Sequence, residues 1–175
     1  MERAALLGAV LAGGQSSRFG SDKALARLGG RTLLELAVER LSGWCGAVVV
    51  IGRAEAPAPV VADWPRPGMG PLGGIAGALR EARARGCGAV LTCGVDSLGL
   101  PDDLPDLLSP GPAHIADQPV VGLWPVRAAE AVEAILAGGG KHSLRALAGA
   151  TGARSVQLAV PSINVNRPED LAGLG

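Results

Sequence analysis

Three apolar runs, Ala4 to Val10, Ala47 to Ile51 and Ala89 to Cys93, constrain the fold more than anything else in the chain. Continuous runs of this length, rich in β-branched residues, are characteristic of strands buried on both faces, and such strands occur in parallel sheets covered by helices. Between the first two runs, Leu33, Leu34, Ala37, Val38 and Leu41 recur at helical spacing within Arg31 to Leu41. Thr32 and Glu35 have the spacing of a capping box, which fixes the start of that helix. A second helix is expected over Ile75 to Arg85, opened by Gly70-Pro71-Leu72-Gly73-Gly74. Further along come a short helix over Asp102 to Leu108, a strand over Val120 to Trp124, and helices over Arg127 to Leu136 and Leu144 to Ala150. The alternation predicts a single α/β domain, a three-layer α/β/α arrangement on a mostly parallel sheet. The 175 residues, 48% of them hydrophobic, are enough for one such core.

The first run empties into Leu11-Ala12-Gly13-Gly14-Gln15-Ser16-Ser17-Arg18-Phe19-Gly20-Ser21-Asp22-Lys23. Gly13 and Gly14 let the backbone approach an anion closely, while Arg18 and Lys23 supply positive charge. A Gly-Gly pair alone is equally at home in an ordinary strand-to-helix turn; two cations and several hydroxyls in the same loop favour phosphate. Two common phosphate loops are excluded by spacing. Five residues separate Gly14 from Gly20 and Ala24 follows Lys23, so no P-loop is present. Gly13-Gly14-Gln15 likewise breaks the dinucleotide fingerprint at its first step.

In an open α/β sheet, ligands lie beyond the carboxyl ends of the strands. Asp63, after a short strand at Val60-Val61-Ala62, and Asp96, after the third apolar run, therefore fall on the same rim as the glycine loop. A bare Asp ending a strand suits a cap or a solvated role as well as a ligand. Facing a phosphate loop, Asp96 is where Mg²⁺ would be held, because magnesium takes one or two carboxylates together with substrate phosphate oxygens. Lys141 and Arg145 follow a glycine-rich stretch that reads either as a linker or as a clamp on an anion, and His142 alone reads as a surface residue. Asn166 has the position of a helix cap before Pro168, Glu169 and Asp170.

Sixteen basic and sixteen acidic residues give no net charge, and the chain has no Tyr and one Phe. Both observations argue against a polynucleotide partner. Cys45, Cys87 and Cys93 form no Cys-x-x-Cys pair and, with His114 and His142, offer no zinc spacing. They read as reduced thiols of a cytoplasmic protein. Met1-Glu2-Arg3 before an apolar run has the outline of a secretory signal, but that run ends in the glycine loop and no cleavage-like stretch follows. No apolar stretch reaches the ~18 residues of a membrane span.

Residues 11 to 23 match in full the pattern Leu-Ala-Gly-Gly-x-Ser-x-Arg-x-Gly-x-Asp-Lys. In this the chain resembles the nucleotidyltransferases that share a Rossmann-like α/β domain. Gly70-Pro71-Leu72-Gly73-Gly74 with Asp63 before it, and Asn164-Val165-Asn166-Arg167-Pro168-Glu169-Asp170-Leu171, are similar to segments of one branch, the molybdenum cofactor guanylyltransferases. The chain departs from that family in three places. Gly94-Val95-Asp96-Ser97-Leu98 keeps the Asp of a Pro-x-Asp-x-Pro-Phe segment without its prolines and Phe, Gln118-Pro119 replaces His-Pro, and Ile51 replaces an Asn. The resemblance implies transfer of GMP from GTP to molybdopterin carrying molybdenum, with Mg²⁺ and release of pyrophosphate. It implies nucleotide contacts from Leu11, Ala12, Gly13, Gly14, Lys23, Asp63, Gly70 and Asp96. Catalytic roles would fall to Arg18, Lys23 and Asp96, the metal to Asp96, and the acceptor to Asn164 and Asn166. Transient contacts with proteins that deliver and accept the cofactor follow from the same resemblance. The alternatives are a relative using CTP or another phosphorylated acceptor, and a binding protein without turnover.

Overall fold

The computed structural model describes residues 5–13, 22–165 and 170, and of Asn164 the backbone. The elements run β1 (Leu6–Leu11), a 3-10 turn (Lys23–Leu25), β2 (Arg27–Leu28), β3 (Arg31–Thr32), α1 (Leu33–Trp44), β4 (Ala47–Ile51), β5 (Val60–Val61) and α2 (Gly70–Ala84). They continue with β6 (Ala89–Gly94), β7 (Ser97–Leu98), α3 (Leu104–Leu108), β8 (Ala113–Ile115), β9 (Gly122–Pro125) and a second 3-10 turn (Val126–Ala128). The last elements along the described residues are α4 (Ala129–Ala137), α5 (Leu144–Thr151), β10 (Arg154–Val156) and β11 (Ile163–Asn164), and Asp170 beyond them is helical.

Seven strands form one sheet in the order β10-β8-β9-β6-β1-β4-β5, parallel throughout except for β9. Successive side chains of a strand point to opposite faces, and both faces of this sheet are covered. Leu6, Val10, Val48, Val50, Leu91 and Cys93 join a core under α1 and α3. Their neighbours Leu7, Ala9, Val49, Ile51 and Val90 join a second core under α2, α4 and α5. The three apolar runs thus become the three central strands of an α/β/α sandwich.

Local signals set the helix boundaries. Thr32 Oγ1 accepts from Glu35 N at 3.1 Å and Glu35 Oε2 accepts from Thr32 N at 2.7 Å, so the expected capping box opens α1. Helix α2 takes in the glycine-rich segment ahead of Ile75, with Pro71 in its first turn. The glycines allow that helix to sit close to the strand ends: a Cβ on Gly74 would lie 3.0 Å from Leu11 Cδ2 and 3.3 Å from Ile51 Cγ2.

The strand expected at Val120 to Trp124 begins two residues later. Val121 N instead donates to the Gln118 carbonyl at 2.9 Å, which closes a turn and lets β9 run antiparallel to β6 and β8. Thr92 holds that junction: its Oγ1 accepts from Trp124 Nε1 at 3.2 Å and donates to the Val120 carbonyl at 2.7 Å. Strands β8 and β10 and the β2–β3 hairpin have no counterpart in the expected elements. Among the described residues, no helix is long and apolar enough to cross a membrane.

Candidate active site

Strands β1, β4 and β6 end level with one another: Leu11 pairs with Ile51 on one side and with Gly94 on the other. Beyond these ends lies a cavity of about 1080 Å³, walled by Leu11, Gly13, Asp63, Gly70 and Asp96 among others. Five of the residues expected at the nucleotide are therefore brought together by the sheet register. Ala12 is fixed beside them, its N–H donating to the Ile51 carbonyl at 3.0 Å. Gly14, Arg18 and Asn166 lie outside the described residues, as does the Asn164 side chain.

Glycine is required where the β1 and β4 loops meet. Gly52 has φ +83°, and a Cβ there would lie 2.6 Å from Gly13 Cα; a Cβ on Gly13 would lie 3.2 Å from Gly52 Cα. The two backbones touch, and they bring the start of the signature loop against the end of β4.

Asp96 follows β6 after a tight turn. A Cβ on Gly94 would lie 2.6 Å from Asp96 Oδ1, so the carboxylate folds back over the strand end only because Gly94 has no side chain. Its other oxygen, Oδ2, accepts from Lys23 Nζ at 3.0 Å, and both side chains are partly exposed, at 17% and 24%. Asp96 is part of the cavity wall and Lys23 is not, but the contact sets the ammonium against that wall. A carboxylate and a lysine so placed can bind a divalent cation and phosphate together. Among the described residues no group of three or more His, Cys, Asp or Glu could hold a metal by itself. One oxygen donor, completed by phosphate oxygens and water, is nevertheless the set that magnesium accepts, so the residues fit that ion when nucleotide is bound.

The Asp96 carbonyl accepts from Leu98 N at 3.1 Å and from Val165 N at 3.3 Å. Strand β11 pairs antiparallel with β7, placing the Asn164 backbone opposite Ser97. The first two residues of the segment expected at the acceptor, Asn164 and Val165, are thus tied through their backbone to the turn that carries Asp96. Asp63 is partly occupied by its own loop, its Oδ2 accepting from Gly68 N at 3.0 Å. His142 and Arg145, with His114, wall a smaller cavity of about 420 Å³, which shares Pro71 with the larger one; Lys141 is not part of that wall.

One residue of the cavity wall escaped the sequence reading. Arg53 forks onto Asp22, Nη1 to Oδ1 at 3.0 Å and Nη2 to Oδ2 at 2.7 Å. The guanidinium holds the Asp22 carboxyl below the usual carboxylate range, and Asp22 in turn raises Arg53. The same strand-end rule that located Asp63 and Asp96 applies to a cation two residues after Ile51. Cys93, by contrast, faces the core beneath α1, where burial and, secondarily, Cys45 and Asp96 push its thiol up to about 12.

Residues 8–160 match the MobA-like NTP transferase domain. The molybdenum cofactor guanylyltransferase of Acidiphilium cryptum is 38% identical, over 93% of this chain and 90% of that protein. The one from Cereibacter sphaeroides is 35% identical, over 95% and 94%. Among solved structures, molybdopterin-guanine dinucleotide biosynthesis protein A from Archaeoglobus fulgidus superposes with a TM-score of 0.74 at 21% identity, covering 95% of each chain, and has the same fold. The chain belongs to the molybdenum cofactor guanylyltransferase family of MobA-like nucleotidyltransferases.

Proposed function

We propose that this protein transfers GMP from GTP to the terminal phosphate of molybdopterin carrying molybdenum, releasing pyrophosphate. The observation that carries this reading is the contact of Lys23 with Asp96, a wall residue of the cavity beyond three strand ends. An oxygen of the acceptor's terminal phosphate attacks the α-phosphorus of GTP. The bond from that phosphorus to the β-phosphate bridging oxygen breaks, and the electron pair leaves with pyrophosphate. A phosphate monoester is largely ionised near neutral pH, its second pKa being about 6, so the nucleophile needs no protein base. The obstacle is instead the repulsion between two polyanions, which positioning and positive charge overcome.

In this reading the Gly13 and Gly14 backbone, with Leu11, Ala12 and Arg18, holds the triphosphate. Lys23 neutralises charge at the α-phosphate. Asp63 and Gly70 fix the nucleoside at the far wall, and Asn164 and Asn166 meet the acceptor beside the Asp96 turn. Mg²⁺, held by Asp96 together with phosphate oxygens, supplies further charge neutralisation when bound.

Pyrophosphate release in the presence of GTP, Mg²⁺ and molybdenum-loaded molybdopterin tests the reaction. Melting with each nucleotide tests the base: a ligand at a hundredfold its dissociation constant adds about 2.7 kcal/mol. GTP is expected to raise the melting temperature and CTP to leave it unchanged. Stabilisation by CTP alone overturns the guanylyl assignment, and tight GTP binding without pyrophosphate release overturns the transfer.

A further inference from the structure

We infer that Arg53 is a positioning residue for nucleotidyl transfer: by gripping Asp22 it holds Lys23 against Asp96, which lines the nucleotide cavity. The inference rests on the function proposed above and adds to it a residue outside the signature loop.

The chain of contacts begins at the end of β4. Gly52 turns the backbone with its positive φ, packs on Gly13, and directs Arg53 into the cavity wall. Both terminal nitrogens of Arg53 engage Asp22, one on each carboxylate oxygen. A bidentate fork fixes orientation as well as distance, which a single contact from an ammonium would not do.

Asp22 then passes that orientation on. Its Oδ1 also accepts from Ala24 N at 3.2 Å, and its carbonyl accepts from Leu25 N at 3.0 Å, so one residue caps and closes the 3-10 turn over Lys23–Leu25. Lys23 is the first residue of that turn. Its four-carbon stem has several rotatable bonds, and ordering them costs entropy unless the root is already fixed. The root is fixed by Asp22, and the ammonium reaches Asp96 at 3.0 Å.

A stabilising surface ion pair is the plainer account of Arg53 and Asp22, and two observations count against it. The Arg53 side chain is only 18% exposed, against 44% for Asp22. Among the described residues its buried Nε finds no hydrogen-bond partner, a cost that an exposed pair does not carry. The fork's consequence is therefore geometric, and it falls on the lysine that meets Asp96.

Steady-state transfer and melting temperature, measured on the full chain for wild type, Arg53→Ala, Arg53→Lys, Asp22→Asn and the Arg53→Ala/Asp22→Asn double variant, test this. Arg53→Ala is expected to lower kcat about tenfold or more with KM for the acceptor within twofold. Arg53→Lys, which keeps the charge but not the fork, recovers less than a third of the loss. The double variant is no more than about twofold worse than the worse single one, because both changes break one link. Millimolar guanidinium restores part of the Arg53→Ala activity, which a structural role alone would not allow. Should Arg53→Ala fail to fold, Arg53→Lys takes its place in the cycle. An active wild type with Arg53 variants within twofold of it, or fully additive losses, overturns the inference alone. A wild type that turns over no nucleotide overturns the functional reading and this inference with it.

Discussion

Lys23 Nζ and Asp96 Oδ2 lie 3.0 Å apart although 73 positions separate them in the chain. The contact spans from the turn that closes the signature loop to the turn that follows β6, and both turns sit at the carboxyl ends of adjacent parallel strands. The lysine and the carboxylate thus neutralise one another beside the cavity at the strand ends.

Asp96→Asn removes the charge and keeps the shape. It is expected to lower kcat by about a hundredfold or more, in line with losses seen when a group stabilising transition-state charge is removed. The melting temperature should change by no more than about 3 °C, because a partly exposed ion pair contributes about 1 kcal/mol at most. Turnover within threefold of wild type would remove Asp96 from the proposed metal site.

Gly52→Ala places a methyl group against Gly13 Cα and forces an L-residue into positive φ. Strain and contact together should cost about 2 kcal/mol, or roughly 5 °C in melting temperature. Nucleotide affinity should fall as well, since the displaced backbone is that of the signature loop. Calorimetric titration with GTP checks the second part, and undiminished affinity would show that the loop adapts without Gly52.

The Asp22 carboxyl is held low chiefly by its hydrogen bonds to Arg53, with burial opposing in part. A carboxylate with a depressed folded value contributes stability that is complete above its unfolded pKa, about 3.9, and is lost as pH falls through the folded value. The loop should therefore stay intact at pH 5 and loosen only in stronger acid. In Arg53→Ala the Asp22 titration, followed by carboxyl carbon NMR, should move up towards 3.9. An unmoved titration would mean that the fork is not formed in solution.

Thr92→Val is nearly isosteric yet deletes the hydroxyl that accepts from Trp124 Nε1. The indole N–H is then buried without a partner, at a cost of about 2 kcal/mol. Melting should fall by roughly 5 °C, with transfer activity retained at lower temperature, because the junction of β6 and β9 lies behind the site. A melting temperature equal to wild type would show that water replaces the hydroxyl.

The apolar runs that became β1, β4 and β6, the Thr32–Glu35 box and the glycine at position 13 were all legible in the sequence. Each is a contiguous pattern whose physical cause lies within a few residues: burial on two faces, a local hydrogen bond, or the absence of a Cβ. The strand-end rule placed Asp63 and Asp96 on one rim for the same reason. Strands β8 and β10, three residues each, leave no periodicity to read, and their places beside β9 come from pairing partners far along the chain. Tertiary structure alone also decided that Gly52 touches Gly13, that Arg53 grips Asp22 and that Lys23 meets Asp96. Local sequence sets what each segment can form, while contacts between distant segments depend on how the sheet aligns their ends, and that alignment exists only once the core has packed.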